Sequence, residues 1–230
     1  FLAVLMVCAA ALSVFARSRN LMLSFVALEC ATVCLYVMAA WSRSRASSLE
    51  GAAKYLVISG VSGGLFLLGT VFVYGAGLES GVDFLNFENF TLGFCSGKFV
   101  AGILLVACAA LFKLAAFPFQ FWSPDVYQGS PTPVSAFFAV GSKAAGIVFL
   151  AQICLAVDFS AVPSAASRAA FAVSAIAALT IAVGNLGAIT QTNAKRLLGF
   201  SGIANAGYLL VLLASLIKYP KSAELFEISL

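Results

Sequence analysis

Apolar residues run along this chain in seven blocks, at about 1–16, 21–41, 52–75, 98–117, 132–157, 169–190 and 197–217, each bounded by charge or turn chemistry. Blocks near 20 residues are what an α-helix needs to cross the hydrocarbon core of a bilayer. Backbone polar groups in lipid must pair within their own segment, so the blocks predict helices. The alternating strands of a membrane β-barrel are not seen. The first block ends at Arg17-Ser-Arg19-Asn20, and the second at Trp41, an interfacial residue, followed by Arg43 and Arg45. The third ends in Gly75-Ala-Gly77, before an acidic loop with Glu79, Asp83 and Glu88. A polar tail over 218–230 carries Lys218, Pro220, Lys221, Glu224 and Glu227. The first block has no basic stretch before it and no small-residue cleavage pattern after it, so it reads as a truncated membrane helix and not as a signal peptide. Within the third block, Gly60-Val-Ser-Gly-Gly64 predicts a small-residue face for close helix packing.

Composition agrees with the pattern. Hydrophobic residues are 62% and charged residues 10% of the chain, with a mean hydropathy of +1.05. A soluble domain runs at roughly 45–50% and about 25%, so a soluble enzyme is excluded. The net charge of +4 is scattered, which gives no basis for nucleic-acid binding or a polybasic lipid patch. Lys and Arg are spread evenly over the two sides, so charge does not set the orientation; the acidic loop at 76–97 leans towards the outer face. There is no histidine, which removes imidazole-held haem, His-ligated zinc and His-based acid–base catalysis. The cysteines (Cys8, Cys30, Cys34, Cys95, Cys108 and Cys154) form no CxxC pair and read as small buried apolar side chains, with Cys95 in a loop.

Charge inside the apolar blocks changes the picture. Glu29, Lys113 and Lys143 lie well within predicted helices, and Lys54 sits at the start of the third. A charge at the bilayer centre costs at least about 2.5–3.5 kcal/mol on insertion scales. Such residues should face protein or water, either as a static ion pair between helices or as a proton path. A lysine in water holds its proton at neutral pH. Loss of hydration disfavours the charged form and a nearby carboxylate favours it. Glu29 is the one carboxylate in a helix core, which makes it the natural modulator in a path of lysines, glutamate and water.

The stretch from Phe112-Lys113 to Trp122-Ser-Pro-Asp-Val-Tyr-Gln-Gly-Ser-Pro-Thr-Pro133 places Pro118, Pro124, Pro131 and Pro133 close together, with Asp125 among them. These cannot share one regular helix. The region is either a plain loop or a helix broken just after Lys113, and irregular backbone at membrane depth needs protein or water around it.

These residues carry a resemblance. The proline-rich motif, with Lys113 before it and Ser142-Lys143 after it, is similar to the signature of subunit 2 of respiratory complex I (NADH:ubiquinone oxidoreductase), one of the antiporter-like membrane subunits. Gln191-Thr-Asn-Ala-Lys195-Arg196-Leu-Leu-Gly-Phe-Ser201, Gly207-Tyr208, the stretch from Glu50 to Lys54-Tyr55, and Glu29 match as well, over nearly the whole chain. The resemblance implies an all-α membrane fold of about seven transmembrane helices, one interrupted near 118–133. Residues 1–157 would form a first antiporter-like repeat of five helices and 158–217 the first two helices of a second, inverted one. Glu29, Lys54, Lys113 and Lys143 would form the proton relay. The loops at 42–51, 118–131 and 191–196 would share the matrix or cytoplasmic side. Where the family often has histidine, this chain has Gln120 and Asn205, which hydrogen-bond but carry no proton.

It further implies a subunit that binds no cofactor itself, with NADH, FMN, Fe–S clusters and ubiquinone in partner subunits. Its partners would be other membrane subunits, lipid, and a separate chain if the remaining helices are split off. The expected location is the mitochondrial inner membrane, with a bacterial plasma or plastid thylakoid membrane as alternatives. Competing readings are a cation/proton antiporter subunit and a non-pumping structural subunit.

Overall fold

The computed structural model describes residues 1–42, 44–157, 159 and 163–219. Arg43 and the tail beyond Tyr219, with Pro220, Lys221, Glu224 and Glu227, lie outside the described residues. The described chain is all-helical in its regular structure: α1 (Leu2–Arg17), α2 (Leu21–Ala39), α3 (Ala46–Ser80), a 3-10 helix (Phe87–Cys95), α4 (Gly97–Leu114), α5 (Trp122–Gly129), α6 (Thr132–Phe137), a π turn (Phe138–Ser142), α7 (Lys143–Ala156), α8 (Pro163–Ile189) and α9 (Ala194–Lys218). The run α6–π turn–α7 is one continuous span, Thr132–Ala156. It, α2, α3, α4, α8 and α9 are long and apolar enough to cross a membrane, and α1 is a shorter apolar helix. All seven apolar blocks are therefore helices, and the chain is a multi-pass membrane protein.

Helix ends follow local chemistry. Asn20 caps α2, its Oδ1 accepting from the N–H groups of Met22 (3.0 Å) and Leu23 (3.3 Å). Asn193 caps α9 through Lys195 N–H at 2.9 Å. The third helix does not stop at Gly75-Ala-Gly77. It runs on to Ser80 and ends at Gly81, whose φ of 70° is the left-handed cap glycine takes without strain. The acidic connection is also more ordered than a loop. Phe87 and Phe90 of its 3-10 helix are buried, Phe90 packing edge-on against Phe99 at 5.3 Å.

Where small residues pack is a correction. Gly60 and Gly64 lie on an exposed face of α3, and a Cβ at either would meet nothing within 4 Å. The close crossing is Gly69 against Gly102 of α4. A Cβ at Gly69 would fall 2.6 Å from Gly102 O, and one at Gly102 would fall 2.7 Å from Gly69 O. Alternate spacing on one helix does not say which face meets a partner, and only the partner's own glycine does. The cysteines are corrected in part as well: Cys8 and Cys34 are buried, but Cys30 is exposed on α2. The side chain of Cys95 lies outside the described ones.

Backbone bonds sort the connections to two ends of the bundle. At one end, the α1–α2 turn joins the α3–α4 connection through Leu21 N–H to Leu85 O and Phe87 N–H to Arg19 O, both 2.9 Å. At the other, Lys195 donates to Ser130 O at 2.8 Å, Arg196 meets Asp125 at 3.1 Å, and Gly129 packs on the Ser47 backbone. The described residues of the stretches 42–51, 118–131 and 191–196 thus gather at one end.

Candidate functional site

The helix break begins with α4. After Leu114 the chain turns at Ala115, a non-glycine residue in the left-handed region (φ 55°), and Ala115 and Ala116 N–H groups bond back to Phe112 O and Leu111 O. The Phe117–Pro118 peptide is cis. Backbone groups released by the break find side-chain partners, as a low-dielectric setting requires. Trp122 Nε1–H donates to Phe112 O at 3.3 Å, and Phe117 N–H donates to the buried Thr180 Oγ1 of α8 at 3.0 Å. The prolines fall where helices tolerate them: Pro124 in the first turn of α5, Pro131 as the N-cap of α6, and Pro133 in the first turn of α6. The stretch is therefore a short helix between two turns, and not a plain loop.

Lys113 occupies the last turn of α4 and is only 2% exposed. Its ammonium donates to Tyr55 OH of α3 at 3.0 Å and to Thr32 Oγ1 of α2 at 3.1 Å. Thr32 in turn donates to Leu28 O at 2.7 Å, so its oxygen is aimed at the amine. Tyr55, fully buried, is held by rings of the break, with Trp122 at 4.9 Å and Phe138 at 5.3 Å.

Glu29 lies one turn before Thr32 on α2, about 4.5 Å along the axis. Its carboxylate rests against Gly63 of α3, where any Cβ would overlap it. No ion pair joins Glu29 to Lys113 among the described residues. Lys113 is held by hydroxyls, with Glu29 on the same helix as one of them, and not by a static inter-helix salt bridge.

Lys143 is the first residue of α7, straight after the π turn, and is 4% exposed. Its Nζ stands 5.9 Å from the centre of the Tyr127 ring and has no hydrogen-bond partner among the described residues. Neither have the buried Oγ atoms of Ser142, Ser123 and Ser130, the Tyr127 hydroxyl or Gln120 Oε1. Ser123 and Tyr127 stand one turn apart on α5, and Ser130 is its C-cap. The two lysines leave a shared seam, since a Cβ at Gly146 of α7 would lie 3.8 Å from Lys113 Cβ. From there Lys113 reaches to α2 and α3, and Lys143 reaches to α5 and α9.

Lys54 is placed differently. Its side chain is 43% exposed and pairs with Glu50 (2.7 Å) and Asp125 (2.8 Å) at the end of the bundle where the break emerges. Asp125 also accepts from Arg196 of α9, which donates further to Gln128 and Gln191, each at 3.1 Å. Lys54 therefore anchors the broken segment to α3, while the next residue, Tyr55, faces inward to Lys113. Asp125→Asn should remove charge from both pairs and loosen α5 from α3 and α9. Because these groups are partly exposed, the expected drop in thermal stability is modest and shrinks with added salt. A melting series over ionic strength checks this.

The profile of the NADH:quinone oxidoreductase/Mrp antiporter transmembrane family matches residues 18–226. The chain belongs to this family. NADH-quinone oxidoreductase subunit N 1 of Opitutus terrae is 41% identical over 224 residues, covering 92% of this chain and 43% of its own length. A chain in the structure of respiratory complex I from Thermus thermophilus with bound aureothin is 34% identical, with a TM-score of 0.73, over 90% of this chain and 43% of that one. A chain of the Mrp complex from Dietzia has a TM-score of 0.81 at 19% identity, over 92% of this chain and 38% of that one; that likeness is one of fold. This chain thus spans under half the length of the family members it matches. The curated relatives are bacterial and are named subunit N, which gives the subunit 2 and mitochondrial expectations no support.

Sequence reasoning did not single out Thr32 or Thr180. Each is an ordinary small residue in an apolar helix, and its role depends on what a distant segment brings to it. A motif gives no signal for that.

Proposed function

We propose that this chain is a proton-translocating part of a membrane-arm subunit of NADH:quinone oxidoreductase. The observation that carries the reading is Lys113: an ammonium at the end of a broken membrane helix, 2% exposed, held by two hydroxyls, one of which, Thr32, lies one turn of α2 from the Glu29 carboxylate. A fixed ion pair would lock such an amine. Neutral hydroxyls hold it while leaving its proton free to exchange, and Glu29 tunes the field it feels. Lys113 and Lys143 reach opposite ways from the α4–α7 seam, so a lateral path runs from Glu29 through Lys113 to Lys143 and α9. Water completes it beside the unpartnered oxygens of Ser123 and Tyr127 on α5, with the buried Gln120 as a neutral member; Asn205 lies on an exposed face of α9 and takes no part. Lys54 and Asp125 guard its mouth.

In this reading α1 to α7 form one antiporter-like repeat and α8 and α9 begin a second. NADH, FMN, Fe–S clusters and quinone belong to partner subunits, and the coupling arrives as conformational and electrostatic change. The bacterial relatives support a bacterial plasma membrane. The family includes both oxidoreductase and Mrp antiporter subunits; the 41% identity to a subunit N relative, against 19% to the Mrp complex chain, favours this assembly over a cation/proton antiporter.

The test is isolation of the native assembly containing this chain, followed by proton uptake in reconstituted vesicles. NADH:quinone reductase activity should co-purify, and Glu29→Gln should lower the protons moved per NADH several-fold. An isolated assembly lacking redox subunits, or a Glu29→Gln variant that pumps normally, would refute the proposal.

A further inference from the structure

We infer that Gly202 and Tyr127 form the seat of the Lys143 ammonium, and that the space left by the missing Gly202 side chain is what lets this amine reach α9. A Cβ built on Gly202 would fall 2.5 Å from Lys143 Nζ, 3.6 Å from its Cε and 3.5 Å from the Tyr127 hydroxyl. The amine and the phenol therefore border one small space whose third wall is the α9 backbone. A carbon held 2.5 Å from an ammonium nitrogen is inside van der Waals contact, so this position admits glycine alone with the lysine where it stands.

The other walls are fixed. One turn earlier on α9, Gly199 packs on Pro124 and on the Tyr127 ring, where a Cβ would lie 3.1 Å from Pro124 Cα and 3.5 Å from Tyr127 Cγ. Ser135 of α6 donates to Tyr127 O at 3.0 Å and holds the same residue from the far side. Lys113 has two oxygen acceptors, but among the described residues Lys143 has only the face of the Tyr127 ring, an attraction that orients a cation without neutralising it. The π turn just before Lys143 sets the phase at which the side chain leaves α7. Gly202 and Tyr127 are thus positioning residues: they turn the second amine away from the first and towards α9. That consequence for transport rests on the proton-translocation reading, whereas the seat itself is geometric.

The experiment uses the native assembly with five variants: Gly202→Leu, Lys143→Ala, the two combined, Tyr127→Phe, and Gly60→Leu as the open-face control. Thermal stability and the pH profile of protons moved per NADH are the readouts. A single Cβ at Gly202 meets the mobile end of the lysine, which can shift, whereas leucine fills the space and must displace both the amine and the phenol. Gly202→Leu should therefore lower stability by several degrees, and adding Lys143→Ala should recover part of the loss. Tyr127→Phe keeps the ring and should assemble normally, but it should displace the pH profile of translocation. The inference is overturned if Gly202→Leu behaves like Gly60→Leu, if the double variant is no more stable than Gly202→Leu, or if Tyr127→Phe leaves the profile in place. Normal pumping by Lys143→Ala would instead sink the transport reading, and the stability cycle would still decide the seat.

Discussion

Lys113→Ala should abolish proton translocation in an assembly that still forms. The side chain is the amine at the head of the break, and no neighbour replaces it: Thr32 and Tyr55 carry hydroxyls, and Lys143 points the other way. The expected loss is at least tenfold in protons moved per NADH, equivalent to about 1.4 kcal/mol or more in a barrier. The structural cost is small by comparison. Thr32 keeps its bond to Leu28 O, and Tyr55 keeps its ring contacts with Trp122 and Phe138. What is lost is a pair of hydrogen bonds, of order 1 kcal/mol each in net terms. Vesicle pumping beside a gel assay of assembled complex separates these effects. A non-pumping structural subunit would show neither loss.

The largest effect on folding is expected from Gly102→Val. A Cβ there would lie 2.7 Å from Gly69 O and 2.9 Å from Val73 N, backbone atoms of α3 that cannot rotate away. Valine adds two methyl groups at the point of closest approach, so α3 and α4 must separate. Overpacking of this kind costs about 1–3 kcal/mol in a soluble core, and here it also pulls Tyr55 from Lys113, because the two ride on those helices. The variant should accumulate at a small fraction of the wild-type level. Gly64→Val, on the open face of the same helix, should accumulate normally, and immunoblotting of membranes compares them.

Much of this was legible in the residues. The seven apolar blocks became helices because length and hydropathy leave a lipid-embedded backbone no other pairing. Lys113 ahead of Pro118 marked the break, since proline ends the ladder wherever it falls. Four things were not legible. Helix α5 is short and polar, and it exists because Tyr55, Phe138 and α9 surround it. The reach of α3 to Ser80 is set by Gly77 packing on the Val82 backbone, which lies beyond the apolar block. The exposure of Lys54 depends on Asp125, 71 residues away. The partners of Lys113 are 81 and 58 residues distant, so a burial cost could be read from sequence but its relief could not.

The central claim is that the amines of Lys113 and Lys143 sit on a hydrated route inside protein. The most direct measurement is a map of the native assembly at a resolution that reveals ordered water. It should show water bonded to Lys143 Nζ and the Tyr127 hydroxyl, continuing towards Lys113. Acyl chains packed against either amine, or a dry apolar barrier between them, would contradict the account.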